Sequence, residues 1–149
     1  MVRELKVAKK LKLKKYRDEF KLFVAEGLRL CEPAAESEIE FGFYTADFLK
    51  DERAKNLIDK VKSVAQVYEI PTATFEKISD TKTPQGVMLI LRQKFSTLEE
   101  VLAQKLIVVL DAVHDAGNLG TILRTAEAFS CGVIILEDSA DIFNPKVVR

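Results

Sequence analysis

Apolar positions along this chain change their spacing several times, and each change predicts an element. Over residues 4–19, Leu5, Ala8, Leu11 and Tyr16 recur near one side of a helix among lysines. Residues 20–24 read as a short strand closed by Glu26-Gly27, and residues 28–35 as a helix that Pro33 limits or kinks. A strand follows over 39–45 with Phe41 and Phe43. Residues 46–66 then carry Phe48, Leu49, Leu57, Ile58, Val61, Val64 and Ala65 at helical intervals between charges. Residues 67–70 form a strand stopped by Pro71, 74–79 a helical turn, 80–84 a loop and 86–91 another strand. These ninety-odd residues are expected to be one α/β unit.

The rhythm breaks over residues 93–104, a polar stretch containing Ser96-x-x-Glu99, the spacing of a helix-start capping box. Beyond it come a buried-type strand (106–110), a glycine turn, a helix (118–129) and a second buried-type strand (133–136), which together make a βαβ unit and imply a parallel sheet. Two strands alone leave open edges, so the expectation is a sequence that stops inside its second domain. On the helix, Leu119, Ile122, Leu123, Ala126 and Phe129 share the face expected to pack on the sheet. Gly120, Arg124, Glu127 and Ala128 share the opposite side, where Gly120 would leave room for a ligand below Arg124. Asn118 is expected as the helix N-cap.

Composition narrows the class. With 48% hydrophobic and 31% charged residues and no apolar run near membrane-spanning length, the chain reads as globular and cytoplasmic, with no membrane partner. Cys31 and Cys131 stand a hundred positions apart and His114 is the one histidine, so no metal site is implied and both thiols are expected to be buried and inert. Zero net charge hides an asymmetry: residues 1–21 hold nine Lys/Arg against Glu4, Asp18 and Glu19. Such a run is either a solvated helix face or an arm that contacts phosphates.

The stretch richest in chemistry is Asp111-Ala112-Val113-His114-Asp115-Ala116-Gly117-Asn118-Leu119-Gly120, continuing to Arg124. A dinucleotide site would need three glycines in G-x-G-x-x-G and an acidic residue about twenty positions on. Glu137 meets the second demand, but only Gly117 and Gly120 meet the first. A phosphate-loop NTPase would need a lysine after the glycine, where Thr121 stands. A plain glycine turn beside a surface arginine is the third reading.

Asn118-Leu-Gly120-Thr121-Ile-Leu-Arg124-Thr125-Ala-Glu127-Ala-Phe129, followed by an apolar strand and by Asn144-Pro145-Lys146-Val-Val-Arg149, closely resembles the first signature motif of the SpoU/TrmH RNA 2′-O-methyltransferases, within the SPOUT superfamily. Lys14-Lys15-Tyr16-Arg17, Phe23-Val24-Ala25-Glu26-Gly27 and Thr83-Pro84-Gln85-Gly86-Val87 look like the start and end of that family's substrate-binding domain. The resemblance implies an α/β architecture: a ribosomal-protein-like α/β/α RNA-binding domain over 1–95, a linker over 96–105, and the opening βαβ of a knotted methyltransferase domain over 106–149. It implies S-adenosylmethionine as cofactor, with the cofactor-binding motifs expected beyond Arg149 and this chain inactive by itself. RNA, ribosomal or transfer, is the implied partner, and a homodimer the implied assembly.

Residue by residue, Arg124 and Asn118 fall on the family's catalytic arginine and asparagine, with Gly117, Gly120 and Glu127 in support. A guanidinium keeps its proton in nearly any protein setting, so Arg124 is read as holding a phosphate and stabilising a developing alkoxide rather than as a base. Lys12, Lys14, Lys15, Arg17, Lys146 and Arg149 are the expected RNA contacts. The sequence departs from the family where Ala116 replaces a usual proline and Ser130 a usual glycine. The rival reading is a non-catalytic RNA-binding module, related to ribosomal proteins, that uses Arg124 and Lys146 only for phosphates. A nucleotide-binding oxidoreductase is a distant third.

Overall fold

The computed structural model describes residues 1–149, which divide into two compact units, Met1–Gln93 and Lys94–Arg149. In the first, α1 (Val2–Lys10) and α2 (Lys14–Phe20) lead into β1 (Leu22–Glu26), α3 (Leu28–Ala34) and β2 (Ile39–Tyr44). A 3-10 turn (Ala46–Lys50), α4 (Glu52–Lys62), β3 (Val67–Glu69), α5 (Thr72–Ile78) and β4 (Val87–Arg92) complete it. The sheet order is β1-β4-β2-β3, antiparallel except for the parallel β2–β3 pair.

Strand alternation builds two cores from this one sheet. From β4, Val87, Leu89 and Leu91 join Cys31, Leu57, Ile58 and Val61 of α3 and α4 on one face. Met88 and Ile90 join Ala8, Leu11, Phe43, Phe75 and Ile78 on the other, beneath α1 and α5. Helices thus cover both faces, the expected α/β/α layering. Burial pushes the Cys31 thiol up to about 12, which keeps it protonated and unreactive. Cys131, expected to be buried as well, is only half-buried.

The two motifs at the ends of this unit meet. Gly27 N–H donates to the Val87 carbonyl (3.0 Å), and Leu28 N–H to Gln85 Oε1 (2.8 Å). Both glycines sit in the left-handed region, Gly27 at φ 93° and Gly86 at φ 82°, and a Cβ on Gly86 would run into Thr45 Oγ1. The buried Glu26 carboxylate accepts from Ser79 Oγ (2.5 Å), Thr81 Oγ1 (2.7 Å) and the Asp80 N–H (3.2 Å), fastening the 79–81 loop to the end of β1.

Several boundaries differ from expectation. The helix expected over 4–19 is two helices, broken at 11–13. The one expected over 46–66 is a 3-10 turn and then α4, which Asp51 caps by accepting from the Arg53 N–H at 2.7 Å.

The second unit contains α6 (Leu98–Leu102), β5 (Ile107–Leu110), α7 (Ala116–Ala128), β6 (Gly132–Ile135) and α8 (Pro145–Val148). The residues expected as a linker, 96–105, belong to it: α6 packs on β6, with Val101 closing over Gly132. The capping box is shifted by one residue, Thr97 Oγ1 accepting from the Glu100 N–H (3.2 Å) and Glu100 from the Thr97 N–H (2.7 Å). β5 and β6 pair in parallel, and the core under them is small: Leu110, Leu119 and Val147 are its buried members.

The end of α7 explains a departure from the family pattern. Cys131 N–H donates to the Ala126 carbonyl (2.8 Å) and Ser130 N–H to Glu127 (2.9 Å), the paired bonds of a Schellman stop with Ser130 left-handed at φ 52°. That is where glycine is cheapest. Ser130→Gly is therefore expected to stabilise the second unit by roughly 1 kcal/mol, read as a rise in its urea midpoint. The same turn carries Phe129 off the helix face: expected against the sheet, it is 74% exposed.

Candidate active site around Asn118 and Arg124

Loops after the two parallel strands are tied together. Ala140 N–H donates to the Val113 carbonyl (2.8 Å) and Val113 N–H to Ser139 Oγ (3.2 Å), which gathers the carboxyl ends of β5 and β6 around the start of α7. Parallel sheets bind ligands at this end. His114 is exposed there, and Glu137 is exposed just past β6.

The cap of α7 is Asp115, not Asn118: its Oδ1 accepts from the Asn118 N–H at 2.7 Å. Ala116 and Gly117 thus lie inside the first helical turn. Ala116 occupies the first helical position, where proline is at home, so the family's proline preorganises a helix start that alanine reaches without it. Asn118, relieved of capping, is exposed, as are Thr121 and Arg124. These three succeed one another at three-residue steps and form one polar stripe along α7. Thr121 Oγ1 donates to the Gly117 carbonyl (2.9 Å) and lies 3.5 Å from Arg124 Nη2 as an acceptor.

Gly120 is buried, and the space its missing side chain leaves is already taken. A Cβ there would stand 3.0 Å from the Val147 carbonyl oxygen of α8 and 3.1 Å from Arg124 Nη1. The glycine therefore admits α8 and the guanidinium, rather than a ligand as the sequence suggests. α8 itself starts with Asn144, whose Oδ1 accepts from the Lys146 N–H (2.9 Å), and Pro145 at its first position. Lys146 on this short helix and Arg149 at its C-cap are exposed, while Glu127 is exposed on α7 and Arg124 turns toward Thr121 instead. Sequence reasoning missed Thr121 and Asp115, although Asp115-x-x-Asn118 has the spacing of a cap and Thr121 lies midway between the two residues it had singled out.

The RNA-contact set of the first unit is not brought together. Arg17 is 2% exposed, and its Nη1 donates to the carbonyls of Leu11 (2.7 Å) and Lys12 (2.9 Å). Lys12 Nζ donates to the Ser79 carbonyl (2.5 Å). Lys14 pairs with Asp18 at 2.8 Å, and this neighbouring ammonium holds the Asp18 carboxyl below its ordinary value. Lys15 is exposed, its ammonium 5.8 Å from the Tyr16 ring centroid.

Residues 3–89 match the MRM3-like substrate binding domain, and residues 105–149 match the SpoU rRNA methylase family. The chain belongs to the SpoU/TrmH methyltransferase family. Among its relatives, the 23S rRNA (guanosine(2553)-2′-O)-methyltransferase RlmP of Bacillus subtilis is 34% identical over 95% of this chain and 54% of its own length. Mouse mitochondrial rRNA methyltransferase 3 is 32% identical over 93% of this chain and 34% of its own length. The crystal structure of an AdoMet-bound rRNA methyltransferase from Sinorhizobium meliloti superposes with a TM-score of 0.82 at 32% identity, over 97% of this chain and 55% of that one. The family member described here thus spans about half the length of its bacterial relatives and a third of the mitochondrial one.

Proposed function

We propose that this chain supplies the RNA-recognition and acceptor-handling part of a methyltransferase that modifies a ribose 2′-oxygen in ribosomal RNA. The observation that supports it most is the stripe Asn118–Thr121–Arg124, held on a capped helix at the carboxyl ends of parallel strands, within the segment that matches the SpoU family. A ribose 2′-hydroxyl has a phosphate as its neighbour. A guanidinium donates in a planar fork suited to that phosphate and to the alkoxide that develops as the hydroxyl reacts. Asn118 carries both a donor and an acceptor for orienting the sugar. The hydroxyl proton leaves to phosphate or water.

S-adenosylmethionine is bound in the Sinorhizobium relative. A concave lining beside α7, between Leu106, Val108, Ile122, Ala126 and Phe129, is hydrocarbon apart from Thr121, Thr125 and Cys131. Both threonine hydroxyls are spent on helix carbonyls, Thr125 on that of Thr121 at 2.9 Å. A zwitterionic sulfonium nucleoside needs more polar partners than these residues offer, so no step is assigned through it. Pairing with a second copy and residence in the cytoplasm belong to the same proposal; no helix of the chain is long and apolar enough to cross a membrane.

A chimera tests the reading. This chain replaces the matching segment of the Bacillus subtilis enzyme, and 2′-O-methylation of 23S ribosomal RNA is followed with labelled methyl donor. Methyl transfer by the folded chimera is expected. A folded chimera that binds the RNA yet transfers nothing would reject the catalytic role in favour of the binding module.

A further inference from the structure

The basic N-terminal segment does not present its charge as α2 alone would. It forms a groove between α1 and α2 of about 840 Å³. The floor is aromatic and apolar: Tyr16 and Phe20, four residues apart on α2, stack with centroids 5.8 Å apart and planes 27° apart, beside Leu13, which is 61% exposed. The rim is cationic, from Arg3, Lys6, Lys9 and Lys10 of α1, all exposed. Lys10 Nζ stands 4.8 Å from the Tyr16 centroid and 5.8 Å from that of Phe20, over the rings that line the groove.

We propose that this groove binds a single-stranded RNA segment, one unpaired base stacking on the Tyr16–Phe20 floor while Arg3, Lys6, Lys9 and Lys10 hold the flanking phosphates. Rings give sequence-tolerant stacking, lysines around them give phosphate affinity, and their combination is the chemistry of single-strand recognition. An arriving base displaces the Lys10 ammonium from the ring, and its own phosphate receives that ammonium. The charge complementarity favours a polyanion. The mixed apolar floor favours one that carries flat rings, rather than a bare phosphate surface.

This inference rests on the RNA reading above but fails separately from it. The probe is a fluorescent decauridylate, titrated into the full chain across a salt series. Tyr16→Leu keeps the apolar volume without the ring and is expected to weaken binding roughly tenfold, whereas Tyr16→Phe retains it. With no tryptophan in the chain, base stacking is also read as quenching of tyrosine emission, lost in Tyr16→Phe. Lys6→Glu/Lys9→Glu/Lys10→Glu is expected to flatten the log–log salt slope by about 2, and Lys77→Glu on α5 to leave it unchanged. Ribosomal RNA binding that survives both the leucine and the triple variant overturns the groove but not the RNA reading. Failure of the unaltered chain to bind any RNA overturns both. Equal binding to phosphatidylserine vesicles, with no tyrosine quenching by RNA, overturns the groove in favour of a lipid surface.

Discussion

Arg124→Ala is expected to lower methyl transfer by the active chimera roughly a hundred- to a thousandfold while leaving its RNA affinity within a few fold. The asymmetry follows from where the side chain sits. Arg124 lies against the Cβ-free flank of Gly120 and near Thr121 Oγ1, so its fork is aimed before any RNA arrives. Preorganised donors matter most for charge that develops during reaction. A phosphate contact in the ground state is one of many and contributes little to overall affinity. Arg124→Lys should recover only a small part of the rate, since a point charge on a flexible stem does not reproduce two parallel N–H donors. An alanine variant that retains most of the activity would remove Arg124 from the chemistry. Equal losses in rate and RNA affinity would make it a binding residue.

Arg17→Met is expected to destabilise the first unit by about 3 kcal/mol, because two carbonyls that now accept from a buried cation would lose it. In a unit of this size the thermal midpoint should fall by something over 10 °C. Those carbonyls belong to the C-cap of α1 and the residue after it, which have no helical partner, so the guanidinium closes the break between the two helices from α2. Lys14→Ala and Lys15→Ala, on the exposed side of α2, should be nearly neutral. An unchanged midpoint for Arg17→Met, together with a flattened salt dependence of RNA binding, would return Arg17 to the phosphate contacts that the sequence suggested.

What could and could not be read in advance follows the same division. Strands were legible because β4 is a short, uninterrupted apolar run, as a strand buried on both faces requires, and because β2 carries its aromatic pair at alternate positions. The motif around Arg124 was legible because its residue types and spacing are unusual. The break at 11–13 was not: Leu-Lys-Leu-Lys carries no local stop, and the interruption depends on Arg17 reaching back to carbonyls five and six residues earlier. Capping was degenerate, since Ser96-x-x-Glu99 and Thr97-x-x-Glu100 overlap, as do Asp115 and Asn118, and local rules do not choose between such neighbours. Gly120 was recognised as a place without a side chain, but what fills it comes from α8, nearly thirty residues later.

The two-stranded sheet of the second unit has a colloidal consequence. Leu106-Ile107-Val108-Val109-Leu110 is rich in β-branched residues and holds neither charge nor proline. The outer edge of β5 pairs with nothing, and Leu106 and Val109 are 58% and 57% exposed. Lys105 and Asp111 bracket the run as charged gatekeepers against strand-to-strand growth between molecules. Strand-to-strand growth between molecules is therefore expected to start at this edge, and the shelf life of the chain in concentrated solution to be set by β5 rather than by the core of either unit.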